Sequence, residues 1–407
     1  MPHFPVRRLF LQWYRFLPYH FARVAASREL LGKEGVEVVG FETASQDEIY
    51  SRNEVIDLEK HARHTVFPGR SFHTIPVPEV LEGVHRALDE LQPDAIAING
   101  YGIADGRACL LWCQRNERPA ILMSESWSGD APRSEWKEWL KSWIIRQFDA
   151  ALVGGTRQAE YIGSLGIPRG RVFTGYDAVD NDYFRHGAEE ARRNAAALRA
   201  RFRLPENYFL SSGRFVPEKN LAFLLEAYAE YRRQVGTEAF DLVLCGDGPL
   251  RPELEACAKR WNLTENVHFA GFVQYGNMPV YLGLSRALVH VSLVEPWGLV
   301  VNEAMASGLP VLVSDRCGCS PDLVQPGVNG YTFSPDRKDA IVRSLVQATR
   351  EADLSKMGAA SSALVERWSP AAFAEHLRLA TLAACERRKS RRRSLIVDGL
   401  VRLSLKV

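Results

Sequence analysis

The chain has 407 residues, more than one ordinary core holds, so we expect two domains of roughly 150–200 residues each. Hydrophobic residues make up 46% and charged residues 25% of a composition typical of folded soluble proteins. The net charge of +2 excludes a strong overall attraction to nucleic acid. The seven scattered cysteines do not suit a disulfide-rich secreted domain, and we therefore expect a cytoplasmic protein.

Short apolar runs alternate with helical patterns along the first half, which is typical of parallel sheets built from strand–helix–strand units. The stretch 6–18 lacks the cleavage site of a signal peptide, and it predicts a first strand. The further strands predicted in this half are 36–41, 95–99, 120–124 and 150–154. The helices predicted between them are 22–31, 79–91, 107–114 and 134–147.

The second half repeats the alternation. Its predicted strands are 208–212, 241–245, 267–270, 287–292 and 310–314. Its predicted helices are 221–234, 252–261, 296–306 and 338–351. These elements predict an α/β fold of two Rossmann-like, doubly wound domains facing each other across a cleft, where ligands bind at the carboxyl ends of the strands.

Composition also predicts where the domains meet. The segment 187–207 is rich in alanine, arginine and glutamate, and it predicts a solvated linker between domains at 1–186 and 208–366. A basic amphipathic tail is predicted at 387–407, because six of the seven residues 387–393 are basic. Two interpretations of this tail stay open, namely peripheral contact with the inner face of an anionic membrane and a solvated tail.

The segment that begins at Glu295 has the features of an anion site. A proline at its second position suits the first turn of a helix, and this predicts that the helix 296–306 begins there. N–H groups at the start of a helix have no partner within it and bind anions. The residues placed at this start are Gly298, Leu299 and Val300.

Two carboxylates flank the predicted anion site. Glu295 lies just before the helix, and Glu303 lies about two turns into it. A carboxylate accepts hydrogen bonds from neighbouring hydroxyls, as on ribose or hexose. The pair fits a ligand with a sugar on each side of a diphosphate, and the alternative is a capped helix with two solvated acids.

A second candidate loop follows the predicted strand 208–212. Gly213 permits a tight turn there, and Arg214 and Lys219 place two cations on one loop. Such a pair stabilises a diphosphate whose negative charge grows as a nucleotide departs. Gly246 and Val273 follow two other strands, where small residues would let the main chain approach a ligand.

These motifs resemble those of a known family. The spacing Glu295-Pro-Trp-Gly-Leu, three residues, then Glu303-Ala-Met-Ala-Ser-Gly resembles the signature of the retaining GT-B glycosyltransferases of family 4. The stretch Gly213-Arg214, four residues, then Lys219-Asn resembles that family's diphosphate loop. The resemblance covers about residues 208–333, with tryptophan where phenylalanine usually follows the proline.

The resemblance implies a donor site and a reaction. Arg214 and Lys219 would bind the diphosphate of a nucleotide sugar, Glu303 the ribose, and Glu295 the donor sugar. The co-substrate would be a UDP- or GDP-sugar, with no metal and no other cofactor. A hexose would pass to a hydroxyl of a glycan, glycolipid or small molecule with retained configuration, and the helix 367–386 would cross back to the first domain.

The first domain offers two candidate catalytic residues. His20 follows the first predicted strand, where the family carries a glycine-rich loop, and the alternative is a structural histidine. Glu125 follows the strand 120–124, and it would orient the acceptor hydroxyl or receive its proton, or else cap the next helix. Asp180 and Asp182 have the spacing of a metal motif, but they resemble the family's turn out of the first domain, so no metal is predicted.

Three other functions are alternatives. An epimerase of nucleotide sugars would share this architecture, and so would a protein that binds nucleotide sugars without catalysis. A nicotinamide-dependent dehydrogenase also has two doubly wound domains. No predicted strand here is followed by Gly-x-Gly-x-x-Gly, which argues against the dehydrogenase.

Overall fold

The structure, a computed structural model, describes residues 4–46, 63–350 and 352–390, so most of the predicted basic tail lies outside the described residues. The chain divides into two compact units. The first unit comprises Met1–Ser128, Pro132–Ala178 and Pro370–Val407, and the second comprises Gly129–Ala131 and Val179–Ser369. In the described ranges, no helix is both long and apolar enough to cross a membrane.

The first unit is built on a parallel sheet. Its strands are β1 (Arg8–Trp13), β2 (Glu37–Gln46), β3 (Arg63–Ser71), β4 (Ala95–Asn99), β5 (Ala120–Ser124), β6 (Ala150–Val153) and β7 (Val172–Phe173). Their order in the sheet is β3-β2-β1-β4-β5-β6-β7. The helices of this unit are α1 (Pro18–Gly32), α2 (Val77–Leu91), α3 (Ala104–Arg115), α4 (Glu135–Ile145), α5 (Thr156–Leu165) and, near the end of the chain, α15 (Pro370–Ser390).

Helices cover both faces of this sheet, which is why its central strands are apolar without alternation. The first four residues of β4, Ala-Ile-Ala-Ile, are all fully buried. One face packs against α2 and α3, and the other packs against α1 and α15. Phe373 and Leu377 of α15 lie in the same buried cluster as Leu9 and Leu11 of β1, so the last helix completes the core of the first unit.

The second unit has the same design with six parallel strands. These are β8 (Tyr208–Ser212), β9 (Asp241–Cys245), β10 (Val267–Gly271), β11 (Ala287–His290), β12 (Val311–Ser314) and β13 (Gly330–Phe333), in the order β10-β9-β8-β11-β12-β13. The helices are α6 (Asn181–Arg193), α7 (Ala195–Phe202), α8 (Leu221–Val235), α9 (Arg251–Arg260), α10 (Met278–Leu284), α11 (Leu299–Ala306), α12 (Ser320–Leu323), α13 (Lys338–Arg350) and α14 (Leu354–Val365). Buried clusters lie on both faces of the sheet, so the prediction of two Rossmann-like, doubly wound domains is confirmed.

Three strands escape the sequence prediction, each for a physical reason. β3 has no fully buried residue, and β7 has only two residues. β13 is short and begins with a glycine, a residue that weakens strand propensity. Apolar periodicity gives little signal in such segments.

Helix α6 runs across the predicted domain border at 186/187. It packs closely on α10, where a Cβ on Gly283 would lie 2.8 Å from the Cα of Ala188. The predicted linker 187–207 therefore contains the second half of α6 and all of α7, and both helices belong to the second unit.

Candidate functional site

The loop between β11 and α11 carries Glu295. Its backbone is tied to a neighbouring loop, because the N–H of Gly318 donates to the Glu295 carbonyl at 3.0 Å and the N–H of Cys319 donates to the Trp297 carbonyl at 3.2 Å. The Trp297 side chain is buried, and its indole N–H donates to Asn302 Oδ1 at 2.8 Å. These contacts hold residues 295–297 outside the helix.

The prediction that the helix begins at Pro296 is therefore wrong, since α11 begins at Leu299. Gly298 is its N-cap with φ of +105°, a conformation that strains any residue with a Cβ. A Cβ on Gly298 would also lie 3.3 Å from Glu295 Cγ. The first turn of α11, with Leu299 and Val300, still directs its N–H groups toward the carboxyl end of β11.

The carboxylate of Glu295 accepts hydrogen bonds from three side chains. His290 Nε2 lies 2.9 Å and Ser292 Oγ 3.3 Å from Glu295 Oε2, and Lys219 forms an ion pair with the same oxygen. Burial alone would raise the pKa of Glu295. The hydrogen bond from His290 and the charge of Lys219 outweigh it and lower this pKa to about 2. Glu295 is therefore ionised at any physiological pH.

The loop after β8 supplies both predicted cations. A short turn, Pro217–Lys219, places Lys219 beside Glu295. The N–H of Leu293 donates to the Glu218 carbonyl at 2.8 Å, and this hydrogen bond holds the two loops together. Arg214 does not join this ion pair: its side chain is exposed, and its guanidinium has no hydrogen bond or ion pair to any described residue. A planar donor of five N–H groups is thus free for a ligand.

Gly246 and Gly248 hold the Arg214 loop in place. A Cβ on Gly246 would lie 1.9 Å from the Gly213 carbonyl oxygen, and one on Gly248 would lie 2.6 Å from the Phe215 carbonyl oxygen. The N–H of Phe215 donates to the Asp247 carbonyl at 2.9 Å. The sequence predicts that a glycine at 246 lets the main chain approach a ligand, which stays a prediction, and in the described structure Gly246 also permits the close approach of two loops.

Gly246→Ala is expected to destabilise the protein by about 2–4 kcal/mol, because the new Cβ overlaps a backbone oxygen and φ is +144°. Gly236→Ala is the matched control, since φ is +75° there but no atom lies within 4 Å of the new Cβ. It should cost only about 1 kcal/mol. Urea unfolding of both variants measures the difference, and equal losses would show that the close contact is unimportant.

Glu303 lies on α11 and is half-buried. Its carboxyl group has no hydrogen bond or ion pair to the described residues, and burial raises its pKa to about 8. Val273 follows β10 and packs, half-buried, against the same cluster as Leu299 and Val300 of α11. The second unit thus contains an acid, Glu303, and a guanidinium, Arg214, that have no hydrogen bond or ion pair to any residue in the described ranges.

In the first unit, Glu125 follows β5 and is half-buried. It interacts with Asp177, a buried residue that follows β7. Burial, and then the charge of Glu125, raise the pKa of Asp177 well above its usual value, and the opposing effect of Arg23 is smaller. Arg23 is itself fully buried, and its Nη2 lies 3.9 Å from Asp177 Oδ1. The arrangement favours one proton shared between the two carboxyl groups.

His20 lies in the first turn of α1 and is only 6% exposed. Its Nδ1 accepts the N–H of Leu17 at 3.0 Å, and its ring stacks on Trp13 with a centroid distance of 4.4 Å. Burial and the charge of Arg23 lower the pKa of His20 well below its usual value, so the ring is neutral. These contacts describe a helix-capping histidine, and a role in catalysis stays a prediction.

Asp180 caps α6, because its Oδ1 accepts the N–H of Tyr183 at 3.0 Å. Asp182 forms an ion pair with Arg185. No group of three potential metal ligands occurs among the residues that the structure describes.

Four polar residues of these clusters were missed in the sequence, namely His290, Ser292, Asp177 and Arg23. His290 ends an apolar strand five residues before Glu295, and that position was an available signal. The pairing of Asp177 and Arg23 joins residues more than 150 positions apart, and no spacing rule finds it.

Comparison with known proteins finds similarity to one family over part of the chain. Residues 196–361 match the sequence model of the family described as Glycosyl transferases group 1. Alpha-D-kanosaminyltransferase of Streptomyces kanamyceticus is 32% identical over 170 residues, which cover 40% of this chain and 43% of that protein. A GDP-mannose-dependent alpha-(1-6)-phosphatidylinositol monomannoside mannosyltransferase of Mycobacterium tuberculosis is 31% identical over 192 residues, or 44% of this chain and 48% of that one.

These aligned segments span less than half the length of either relative. Similarity to solved structures extends over most of the chain. HepE of Anabaena, solved in complex with UDP-glucose, superposes with a TM-score of 0.67 at 16% identity, and it covers 95% of this chain and 100% of that one. The chain therefore has the fold of the GT-B glycosyltransferases.

Proposed function

We propose that the protein is a retaining glycosyltransferase that moves a hexose from a nucleoside diphosphate sugar to an acceptor hydroxyl. The observation that carries this proposal is that, among the described residues, the half-buried Glu303 and the exposed Arg214 have no hydrogen-bond or ion-pair partner, and both lie in the segment that matches the family. A half-buried polar group without a partner is costly, and the Glu303 carboxyl is such a group, to which a ligand can supply the partner.

The second unit supplies a group for each part of such a donor. The guanidinium of Arg214 and the first turn of α11 offer N–H donors to a diphosphate. Glu303 would accept hydrogen bonds from the ribose hydroxyls, and Glu295 from hydroxyls of the donor sugar. Gly246 and Val273 would line the nucleotide site, as the sequence predicted.

Lys219 has two functions in this proposal. Without ligand it neutralises Glu295. With donor bound, its ammonium would also face the diphosphate and stabilise the charge that grows as the nucleotide departs. Arg214, Lys219 and the helix terminus together would balance this charge without a metal ion, and the departing phosphate would receive the acceptor's proton in a same-face attack.

Glu125 would contact the acceptor from the first unit. A proton shared with Asp177, whose pKa burial and Glu125 raise, would let Glu125 donate to a hydroxyl or accept from one. We keep His20 as a weaker candidate, because its Nδ1 already accepts a backbone N–H.

The donor would carry uridine or guanosine. The two named proteins with a known nucleotide differ, since one is described with UDP-glucose and the other as GDP-mannose-dependent. The acceptor would be a glycan, a glycolipid or a small molecule with a free hydroxyl. We also propose a cytoplasmic location, with the basic tail beginning at Arg387 in contact with the inner face of a membrane.

A panel of UDP-, GDP- and ADP-sugars tests this proposal. One nucleotide family should raise the melting temperature, because a ligand that binds only the folded state stabilises it by mass action. The stabilising donor is then incubated with candidate hydroxyl acceptors, and the product's anomeric configuration is read by NMR. Conversion of the donor without an acceptor into an epimer, or an inverted product, would contradict the proposed reaction.

A further inference from the structure

Helix α4 of the first unit presents a stripe of apolar side chains to solvent. Trp136 and Trp139 are 62% and 60% exposed, more than any other large apolar side chain among the described residues. The rings of Trp139 and Trp143 lie 5.8 Å apart at 68°. We call the following set the tryptophan face: Trp136, Trp139, Leu140 and Trp143.

An amphipathic surface helix normally turns its apolar face toward the core, but α4 turns its tryptophan-rich face toward solvent. Residues three, four and seven positions apart share one face of a helix, so the tryptophan face is continuous. The opposite face meets the protein through Ile145, which is fully buried, and through Glu138. Glu138 accepts hydrogen bonds from Tyr161 at 2.6 Å and from Lys141 at 2.7 Å.

This helix is therefore held to its unit by buried isoleucine and a polar network, while Trp136 and Trp139 stay in water and Trp143 is half-buried. Exposing contiguous apolar surface of this kind is unfavourable, and in folded proteins it marks an interaction site. A packing explanation would require the tryptophans on the side of Ile145, and they lie on the other side.

The charges around the tryptophan face indicate what it contacts. Lys137 lies beside it, with Nζ 5.7 Å from the centre of the Trp136 ring, and Arg146 is exposed at the end of the helix. Of the four basic residues from Arg133 to Arg146, Lys137 and Arg146 are exposed, whereas Arg133 and Lys141 form ion pairs with Glu138 on the opposite face. Tryptophan prefers the headgroup region of a bilayer, and lysine and arginine at the same depth pair with lipid phosphates.

We propose that the tryptophan face docks on the surface of an anionic phospholipid bilayer. The four side chains enter the headgroup boundary, and Lys137 and Arg146 remain at the phosphates. Because α4 begins ten residues after Glu125, docking brings the membrane to the polypeptide that follows β5. If the proposed transferase function holds, the acceptor hydroxyl is carried on a membrane lipid.

Vesicle binding by the full chain tests the docking. The vesicles are phosphatidylcholine with or without phosphatidylglycerol, and the variant is Trp136→Ser with Trp139→Ser. Trp261→Ser is the matched control, since Trp261 is 40% exposed at the end of α9 in the second unit. We expect the wild type and the control to bind anionic vesicles, and the double variant to bind at least about tenfold more weakly.

Two further measurements distinguish a failure of membrane docking from a failure of the proposed transfer reaction. Brominated lipids should quench the tryptophan fluorescence of the wild type and the control more than that of the double variant. The melting temperature and the stabilisation by nucleotide should be the same in all three proteins, because the substituted side chains are exposed and lie outside the donor site. Loss of vesicle binding with intact nucleotide binding supports docking whether or not transfer occurs.

Several results would overturn the docking proposal. Equal vesicle binding by the wild type and the double variant would do so, and so would binding lost only in Arg391→Gln/Arg392→Gln/Arg393→Gln, which would assign the contact to the tail. A wild type that forms dimers in solution, with a monomeric double variant and no vesicle binding, would identify a second copy as the occupant. Binding of soluble glycan alone would identify a carbohydrate surface.

Discussion

Glu303→Gln is expected to weaken nucleotide diphosphate binding by about 100-fold and to make the unliganded protein more stable above pH 8. In the proposed function Glu303, which is ionised above its pKa of about 8, accepts hydrogen bonds from two ribose hydroxyls, and bonds to a charged acceptor contribute about 1.5–3 kcal/mol each. The amide keeps the shape of the side chain and has one acceptor oxygen. Titration calorimetry measures the affinity, and urea unfolding measures the stability.

The stability change has a defined pH dependence. The pKa of Glu303 is about 8 in the folded protein, above its value in an unfolded chain, so the folded state binds more protons between these values. The wild type therefore loses stability as pH rises from about 5 to about 8, and Glu303→Gln does not show this loss. The gain in the variant should be about 1–3 kcal/mol at pH 9 and should vanish near pH 4.

Two controls isolate the ribose contact. A nucleotide without the ribose 2′ and 3′ hydroxyls should bind the wild type and Glu303→Gln with nearly equal affinity. Glu265→Gln, an exposed glutamate of the same unit, should change neither affinity nor stability. If Glu303→Gln bound the complete nucleotide as tightly as the wild type, the ribose assignment would be wrong.

Glu295→Gln is expected to lower kcat by about 100- to 1,000-fold while nucleotide affinity changes little. Removing one electrostatic contact to a reacting group has an effect of this size. The proposed partner of Glu295 is the donor sugar, so a nucleotide diphosphate without a sugar should not detect the change. Single-turnover kinetics with the complete donor, compared with calorimetry on the free nucleotide, measure the two effects.

The same variant has a signature in acid. The pKa of Glu295 is lowered to about 2, so its contacts stabilise the folded state above the usual pKa of a glutamate and lose that effect as pH falls toward 2. The difference in unfolding free energy between the wild type and Glu295→Gln should be largest near pH 7 and shrink below pH 4. A difference independent of pH would show that Lys219 and His290 do not hold the charge.

Much of the fold was accessible from the sequence, because parallel strands buried on both faces are continuous apolar runs. The strands β4, β5, β8 and β9 have the predicted bounds. Edge strands such as β3 lack that signal, since one side of each edge strand is open. The start of α11 was missed because Pro296 suits a first turn, and the preference was overridden by hydrogen bonds to Gly318 and Cys319.

The candidate site was also predicted from the sequence only in part. Motif spacing brought Lys219 and Glu295 into one site, because each follows a parallel strand and such strand ends lie at one edge of a sheet. Spacing did not indicate that these two side chains form an ion pair, nor that His290 completes the cluster. Side-chain pairing depends on rotamers and loop paths, which local propensity does not determine.

The most direct test of the donor site is calorimetric titration of UDP and of GDP into the wild type and Arg214→Gln. Arg214 is exposed and contacts no described side chain through a hydrogen bond or ion pair, so its replacement should leave the fold and the melting temperature unchanged. We predict that one nucleotide binds the wild type and that Arg214→Gln binds it about 10- to 100-fold more weakly. Equal affinities in the two proteins, or no binding of either nucleotide to the wild type, would contradict a nucleotide-sugar site in the second unit.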